Sequence, residues 1–397
     1  MRINSGHSQK PEIWFPILRA ADWALIMSQD MAQGFKAANY SVLMLLYNEY
    51  PEKLREFSTE ISRKIDSQEP FVIIDMNMYF NFDGFPKNLR PWRFTWIGDN
   101  PIHHHKKFSN FSDQTLIGTP DRRYLDVYEA LGFSKNLIFV PHAGPPPIKE
   151  PLPSIKRDIR ILFAGNFRLV PGEEEWRAFG SGLDKLYLSA VDEAVENILE
   201  NQTETFQAMG TALANRGISW RDLNLEVVAN IHQVVESYVE GINRWRILSA
   251  FDGQGLEIVG EVSDAVARRL PNTTIHKFPG FREMLQMVGR SRVLVNSTPK
   301  FSGGSHDRIC NGMARGSVIA TTPSTYLKEY FNHGAEVFYF SKDLSESVNE
   351  IISRLEDWDF LDEMTKKAGD KYDAKHTWSS RAEELGEVFT SAVSQLS

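Results

Sequence analysis

This chain of 397 residues has a single cysteine, Cys310, so it can form no internal disulfide. A reducing compartment, the cytoplasm, is the expected setting. No apolar run reaches the roughly 18 residues that a membrane-spanning helix requires. The opening stretch MRINSGHSQKPEIWF lacks the apolar core of a signal peptide. Positive charge is also short: 44 Lys and Arg face 52 Asp and Glu, for a formal net charge of −8. Bulk electrostatics therefore give no pull toward nucleic acid, and membrane association is not indicated. There is no internal repeat, no low-complexity segment and no Asp-x-Asp dyad suited to a divalent ion. What remains is the composition of a folded protein, 42% hydrophobic and 24% charged. Its length predicts two domains rather than one core.

Apolar runs at 41–47, 71–75, 94–97, 114–118 and 136–140 read as strands, with helical patterns at 22–37, 52–64 and 121–131 between them. Such alternation predicts a parallel sheet covered by helices. Six prolines between Pro141 and Ser154 then mark a stiff, extended linker. A second start follows at 158–164 (DIRILFA), ending in Gly165-Asn166-Phe167-Arg168. From about 173 to 249 the pattern is helical, which predicts an insertion after the first strand of the second domain. Strands resume at 256–259 and 293–295, with helices at 263–269 and 281–288, and the tail 344–396 is mainly helical. The expected domains are 1–150 and 151–397, α/β halves facing each other across a cleft.

The densest chemistry lies in 296–322, NSTPKFSGGSHDRICNGMARGSVIATT. It reads as a strand end, a loop with two adjacent glycines, a helix and a further strand at 317–320. Unpaired first-turn amides and the helix dipole favour an anion there, and glycine lets the backbone come close to it. Ser302, Gly303, Gly304, Ser305, His306 and Arg308 can all donate to a phosphate, and Gly165, Asn166 and Arg168 fall on the same carboxyl edge of the sheet. A plain strand-to-helix turn accounts for the glycines equally well.

The run HDRICNGMARGSVIATT, the segment EYFNHGAEVFYF and the closing KHTWSSRAEELGEVF together resemble glycosyltransferases related to the spore-maturation protein CgeB. The shared pattern is an Arg-led helix ending in Ala314-Arg315-Gly316, a strand at 317–320, and His376-Thr377-Trp378 with Arg381. WIGDNPIHHH is similar to a Trp-x-x-Asp-x-Pro element of such proteins. The resemblance implies the GT-B fold, two Rossmann-like domains, and a role in glycan biosynthesis. It implies transfer of a sugar from a nucleotide-sugar co-substrate, a UDP-sugar by frequency in the family, to a glycan, lipid-linked glycan, protein or small molecule. No metal is implied at the diphosphate.

In that frame the amides of 303–305 with Arg308 and His306 would meet the departing diphosphate, and Phe278, Pro279 or Gly280 in KFPGF would meet the base. Many retaining relatives carry a Glu where this chain has Asn311, a departure that favours inversion, while Asn311 can still bond a ribose hydroxyl. An inverting transfer needs a general base. Asp99 is the first candidate, Asp75 the second and His142 the third. Adjacent histidines such as 103–105 do not easily converge on one ion, and no partner at a recognisable spacing accompanies them, so no metal is expected. Two other readings stay open, a non-catalytic nucleotide-sugar binding or scaffold protein and a sugar-nucleotide epimerase. The insert is an acceptor platform or an oligomer contact.

Overall fold

The computed structural model describes residues 10–394 apart from 18–21, 47–58, 61, 65, 68–70, 78–91, 169–171, 173–179, 181 and 202. Much of the expected helix 52–64 and the start of the insert lie outside the described residues. The first sheet comprises β1 (Glu12–Ile17), β2 (Val42–Leu46), β3 (Phe71–Met76), β4 (Trp92–Trp96), β5 (Thr115–Thr119) and β6 (Leu137–Phe139), in the order β2-β1-β3-β4-β5-β6. All its pairings are parallel. β3, β4 and β5 bury almost every residue, which is why they read as continuous apolar runs rather than alternating ones. β1 was not expected: EIWFPI carries a proline and a charge, and tertiary pairing overrides its weak signal.

The second sheet holds β7 (Ile159–Ala164), β8 (Leu256–Val259), β9 (Thr274–His276), β10 (Ser291–Asn296), β11 (Val318–Thr321) and β12 (Val337–Tyr339), in the order β12-β11-β10-β7-β8-β9. The chain runs outward from β7 through β8 to β9, then returns beside β7 at β10. The strand order therefore reverses between β7 and β10, and the crevice at their carboxyl ends is where such sheets bind ligands. Among the described residues the insert forms three α-helices, α3 (Lys185–Asn201), α4 (Thr205–Ala214) and α5 (Leu225–Ala250), after α1 (Asp22–Ala37) and α2 (Arg123–Ala130) of the first half. The three have their own apolar core, and Ile102 and Val127 of the first half pack into it. The insert thus rests on both halves.

Helices α6 (Asp264–Arg269), α7 (Phe281–Arg290), α8 (Asp307–Ala314), α9 (Thr325–Tyr330), α10 (Leu344–Arg354) and α11 (Trp358–Lys375) complete the second half. The last helix, α12 (Trp378–Ser394), crosses back, and its Trp378, Leu385 and Phe389 join the core of the first sheet. Phe389 stacks on Phe35 of α1 at 5.9 Å between centroids. The proline-rich segment is extended but anchored: Tyr372 donates to the Pro145 carbonyl at 2.6 Å, and the Ser154 amide and hydroxyl both donate to Asp362 Oδ1. Among the described residues no helix is long and apolar enough to cross a membrane.

The halves meet at the Gly-Gly loop. The Gly303 amide donates to Asp121 Oδ2 at 2.8 Å, and a Cβ on Gly304 would lie 2.1 Å from the Pro120 carbonyl oxygen. We expect Gly304→Ala to cost about 1–3 kcal/mol, because backbone must move to admit the methyl. Gly369→Ala in α11, where a Cβ meets nothing within 4 Å, should instead raise stability by up to about 1 kcal/mol. Paired thermal denaturation curves check both signs.

Candidate active site

Arg308, in the first turn of α8, spans the crevice. Its Nε donates to the carbonyl of Ala164 at the end of β7, and its Nη1 donates to Asn296 Oδ1 at the end of β10, at 2.6 Å. The guanidinium lies over the Phe163 ring and runs directly beneath Gly165, where a Cβ would come within 2.6 Å of Nη2. Burial lowers its pKa to about 10, so it remains a cation at neutral pH. It is held by the protein interior and is not a surface ion pair.

His306 caps the same helix. Its Nδ1 lies 3.1 Å from the Arg308 amide and 2.6 Å from Asp307 Oδ1. Burial works against ionisation of Asp307, but His306 and Arg308 outweigh it and hold the carboxyl far below its ordinary range. Beside them is His142, the residue after Pro141 at the end of the first half. Its ring contacts Trp96, Phe301 and His306 at 4.7, 5.4 and 5.7 Å. Burial pushes the imidazole down to about 3, so it is neutral. Its Nδ1 is buried and has no hydrogen-bond partner among the described residues.

Asp99 reaches the cleft from the first half, its side chain 48% exposed. His104 Nε2 lies 3.6 Å away and Lys300 Nζ 3.8 Å away. The neighbouring His104 imidazole, aided by Lys300 against burial, lowers its pKa to about 2. Asp75 is placed differently. Its carboxylate is buried and held by the Arg93 guanidinium, with Arg93 Nε donating to Oδ1 at 3.3 Å.

The donor-side candidates are distributed unevenly. The Gly303 amide, expected to meet phosphate, is occupied by Asp121, so the loop joins the two halves at this point. Burial raises the Asp121 pKa to about 6. Ser305 is buried, and Ser302 lines a separate cavity of about 570 Å³ between the insert and the ends of β11 and β12. Asn166 accepts from the Glu261 amide and, through its carbonyl, from Arg244. Arg168 forms an exposed pair with Glu261. In KFPGF, Phe278 is 50% exposed and Pro279 is exposed. Gly280, at φ 121°, starts α7. Its neighbour Phe281, with Asp307, Asn311 and Asp30, lines a narrow gap of about 20 Å³ between the halves. Asn311 donates to the Asp307 carbonyl and accepts from Arg315.

Sequence reasoning missed the face of α5. His232, Glu236, Glu240 and Arg244 recur every four residues, so they share one side of the helix. Arg244 reaches the Asn166 carbonyl at 2.8 Å and pairs with Glu240. Glu236 and Glu240, with Asp99, outweigh the effect of burial on Lys300 and keep it charged. That four-residue spacing was the available signal.

Residues 244–387 match the family described as Glycosyl transferase-like. No curated protein matches this sequence. A glycosyltransferase from Rickettsia africae ESF-5 aligns over 97% of this chain and 99% of its own, with a TM-score of 0.50 and 9% identity. An alpha-glucosyltransferase, solved with UDP and a 13-mer DNA containing an HMU base, aligns over 96% and 100% with a TM-score of 0.51 and 10% identity. At these identities the likeness is one of fold, and the fold is GT-B, two parallel six-stranded sheets with helices. The chain thus has the GT-B fold, with a glycosyl transferase-like domain over residues 244–387 of its second half.

Proposed function

We propose that the protein moves a sugar from a nucleotide-sugar donor to an acceptor hydroxyl, with inversion and with no metal at the diphosphate, as in glycosyltransferases related to CgeB. The observation that carries this reading is Arg308, a half-buried cation laid across the β7–β10 crevice under Gly165. A preorganised donor at that point stabilises the charge of the leaving diphosphate. His306 and the unpartnered nitrogen of His142 complete the donor side, and the exposed ring of Phe278 offers a face for the base. Asp99, the exposed carboxylate from the opposite half, takes the acceptor proton. UDP in the alpha-glucosyltransferase of the same fold supports a nucleoside diphosphate as the leaving group. The domains carry these roles as 1–150 for the acceptor and 151–397 for the donor, apart from the helix α12 that packs on the first sheet.

Calorimetry with UDP, GDP, dTDP, CMP and their sugar conjugates tests the reading. One diphosphate should bind, and Arg308→Ala should weaken it about 10- to 100-fold, the range of a hydrogen bond to a charged group. Arg308→Lys keeps the charge without the fork and should fall between. Absence of binding by any nucleotide at millimolar concentration would overturn the donor site. Binding without hydrolysis or transfer would instead identify a non-catalytic nucleotide-sugar protein.

A further inference from the structure

Three side chains from distant parts of the sequence converge beside the cleft. His103 lies on the short 3-10 helix Pro101–Asn110 of the first half, and His232 and Glu236 lie one turn apart on α5 of the insert. His103 Nε2 is 3.2 Å from His232 Nδ1 and 3.3 Å from Glu236 Oε2, and the three ligand atoms all lie within 4.8 Å of one another. Metal–ligand bonds of about 2.0–2.1 Å in a tetrahedron set ligand atoms about 3.4 Å apart, whereas neighbouring ligands of an octahedron are about 3.0 Å apart. The His103–Glu236 edge of 3.3 Å is nearer the tetrahedral value, and the His103–His232 edge of 3.2 Å lies midway.

The protonation states also fit. His232 is fully buried and pushed down to about 3 by that burial, so it presents a lone pair. Glu236 is ionised despite burial, chiefly through Lys300. Neutral imidazole and carboxylate are the forms that bind metal. The three facing atoms are two imidazole nitrogens and a carboxylate oxygen, all of them metal-ligating types. Lys300 opposes a cation here, while Asp99 and Glu240 on the same side offset it.

We propose that His103, His232 and Glu236 bind one zinc ion, with a fourth position open to water, clamping the insert to the first half. The ion joins two elements already in contact and touches none of the groups assigned to the donor diphosphate, so the site stands whether or not the transferase reading holds.

The test uses the full chain stripped with a chelator and titrated with Co²⁺, whose visible absorption reports tetrahedral coordination. We expect one equivalent to bind with that absorption, Zn²⁺ to displace it, and Zn²⁺ to raise the melting temperature. His103→Ala and Glu236→Gln should each lower affinity at least about 100-fold, beyond the usual loss of an outer-shell partner. His103 is at the rim and Gln is nearly isosteric with Glu, so both variants should retain the wild-type circular dichroism. No absorption at one equivalent, or full absorption in both variants, overturns the proposal and leaves a hydrogen-bonded cluster.

Discussion

Asp99→Asn is expected to lower kcat for sugar transfer by about 10²- to 10⁴-fold, the usual contribution of a positioned general base. Nucleotide affinity should stay within about twofold, because Asp99 stands on the first half and Arg308 on the second. The carboxylate is ionised at every pH where the protein is folded, through His104 and Lys300. It begins as a weak base, held low by His104 and the Lys300 ammonium beside it. An arriving diphosphate adds negative charge to the cleft, which draws Lys300 away electrostatically and raises the basicity of Asp99. Lys300→Ala should therefore change the pH profile of kcat, moving its acidic limb upward, without removing activity. Steady-state rates with the donor found by calorimetry separate these outcomes. A loss below tenfold in Asp99→Asn would point instead to His142, whose Nδ1 has no hydrogen-bond partner among the described residues.

The sequence made the two sheets legible because buried parallel strands are continuous apolar runs. Phe71–Met76 and Ser291–Asn296 stood out for that reason, and β7 at Ile159–Ala164 began within a residue of its expected start. Short strands such as Thr274–His276 and Val337–Tyr339 have too few residues to show a period. The site was partly legible: 296–322 is a loop and helix start at the β10 carboxyl end, and its Arg308 lies against Gly165 as their shared sheet edge implied. The function of the Gly-Gly pair was not legible. Glycine permits close approach to anything, and here the approaching group is the Pro120–Asp121 backbone of the other half, which no local pattern in 303–304 could disclose. The cluster at His103 was hidden for a related reason. Its partners lie 129 and 133 residues away, and spacing within one segment says nothing about them.

The same long-range contacts explain why the insert matters to the cleft. α5 carries Glu236, Glu240 and Arg244 toward Lys300 and the Asn166 carbonyl, while its other face fills the insert's own core. The insert is thus a third wall between halves that already touch through Asp121 and through Arg122 with Glu329. Domain opening must break the Gly303 hydrogen bond or shift the insert with one half.

Acid should unfold the metal-free protein steeply below about pH 4.5 after a shallow dependence from pH 7 to 5. His142, His232 and His376 are buried, and burial lowers each to about 3. In the unfolded chain an imidazole takes a proton near pH 6.5. Between these values the unfolded state binds more protons, so these groups reduce stability as pH falls. Asp121 and Glu204 act in the opposite direction. Burial raises them to about 6 and about 7, so the folded state binds more protons than the unfolded state until ordinary carboxyls titrate. From pH 7 to 5 the two sets largely offset one another. Below pH 4.5 the acids have nothing more to contribute, whereas the three histidines continue to lose about 1.4 kcal/mol per pH unit each. By pH 3 that amounts to about 5 kcal/mol, comparable to the whole stability of an ordinary domain. Denaturant melts at half-unit steps between pH 7 and 3 should show the plateau and then the fall. A straight decline beginning at pH 6.5 would mean that the two carboxyls are ionised in the folded protein, and a flat profile to pH 3 that the imidazoles are not buried neutral.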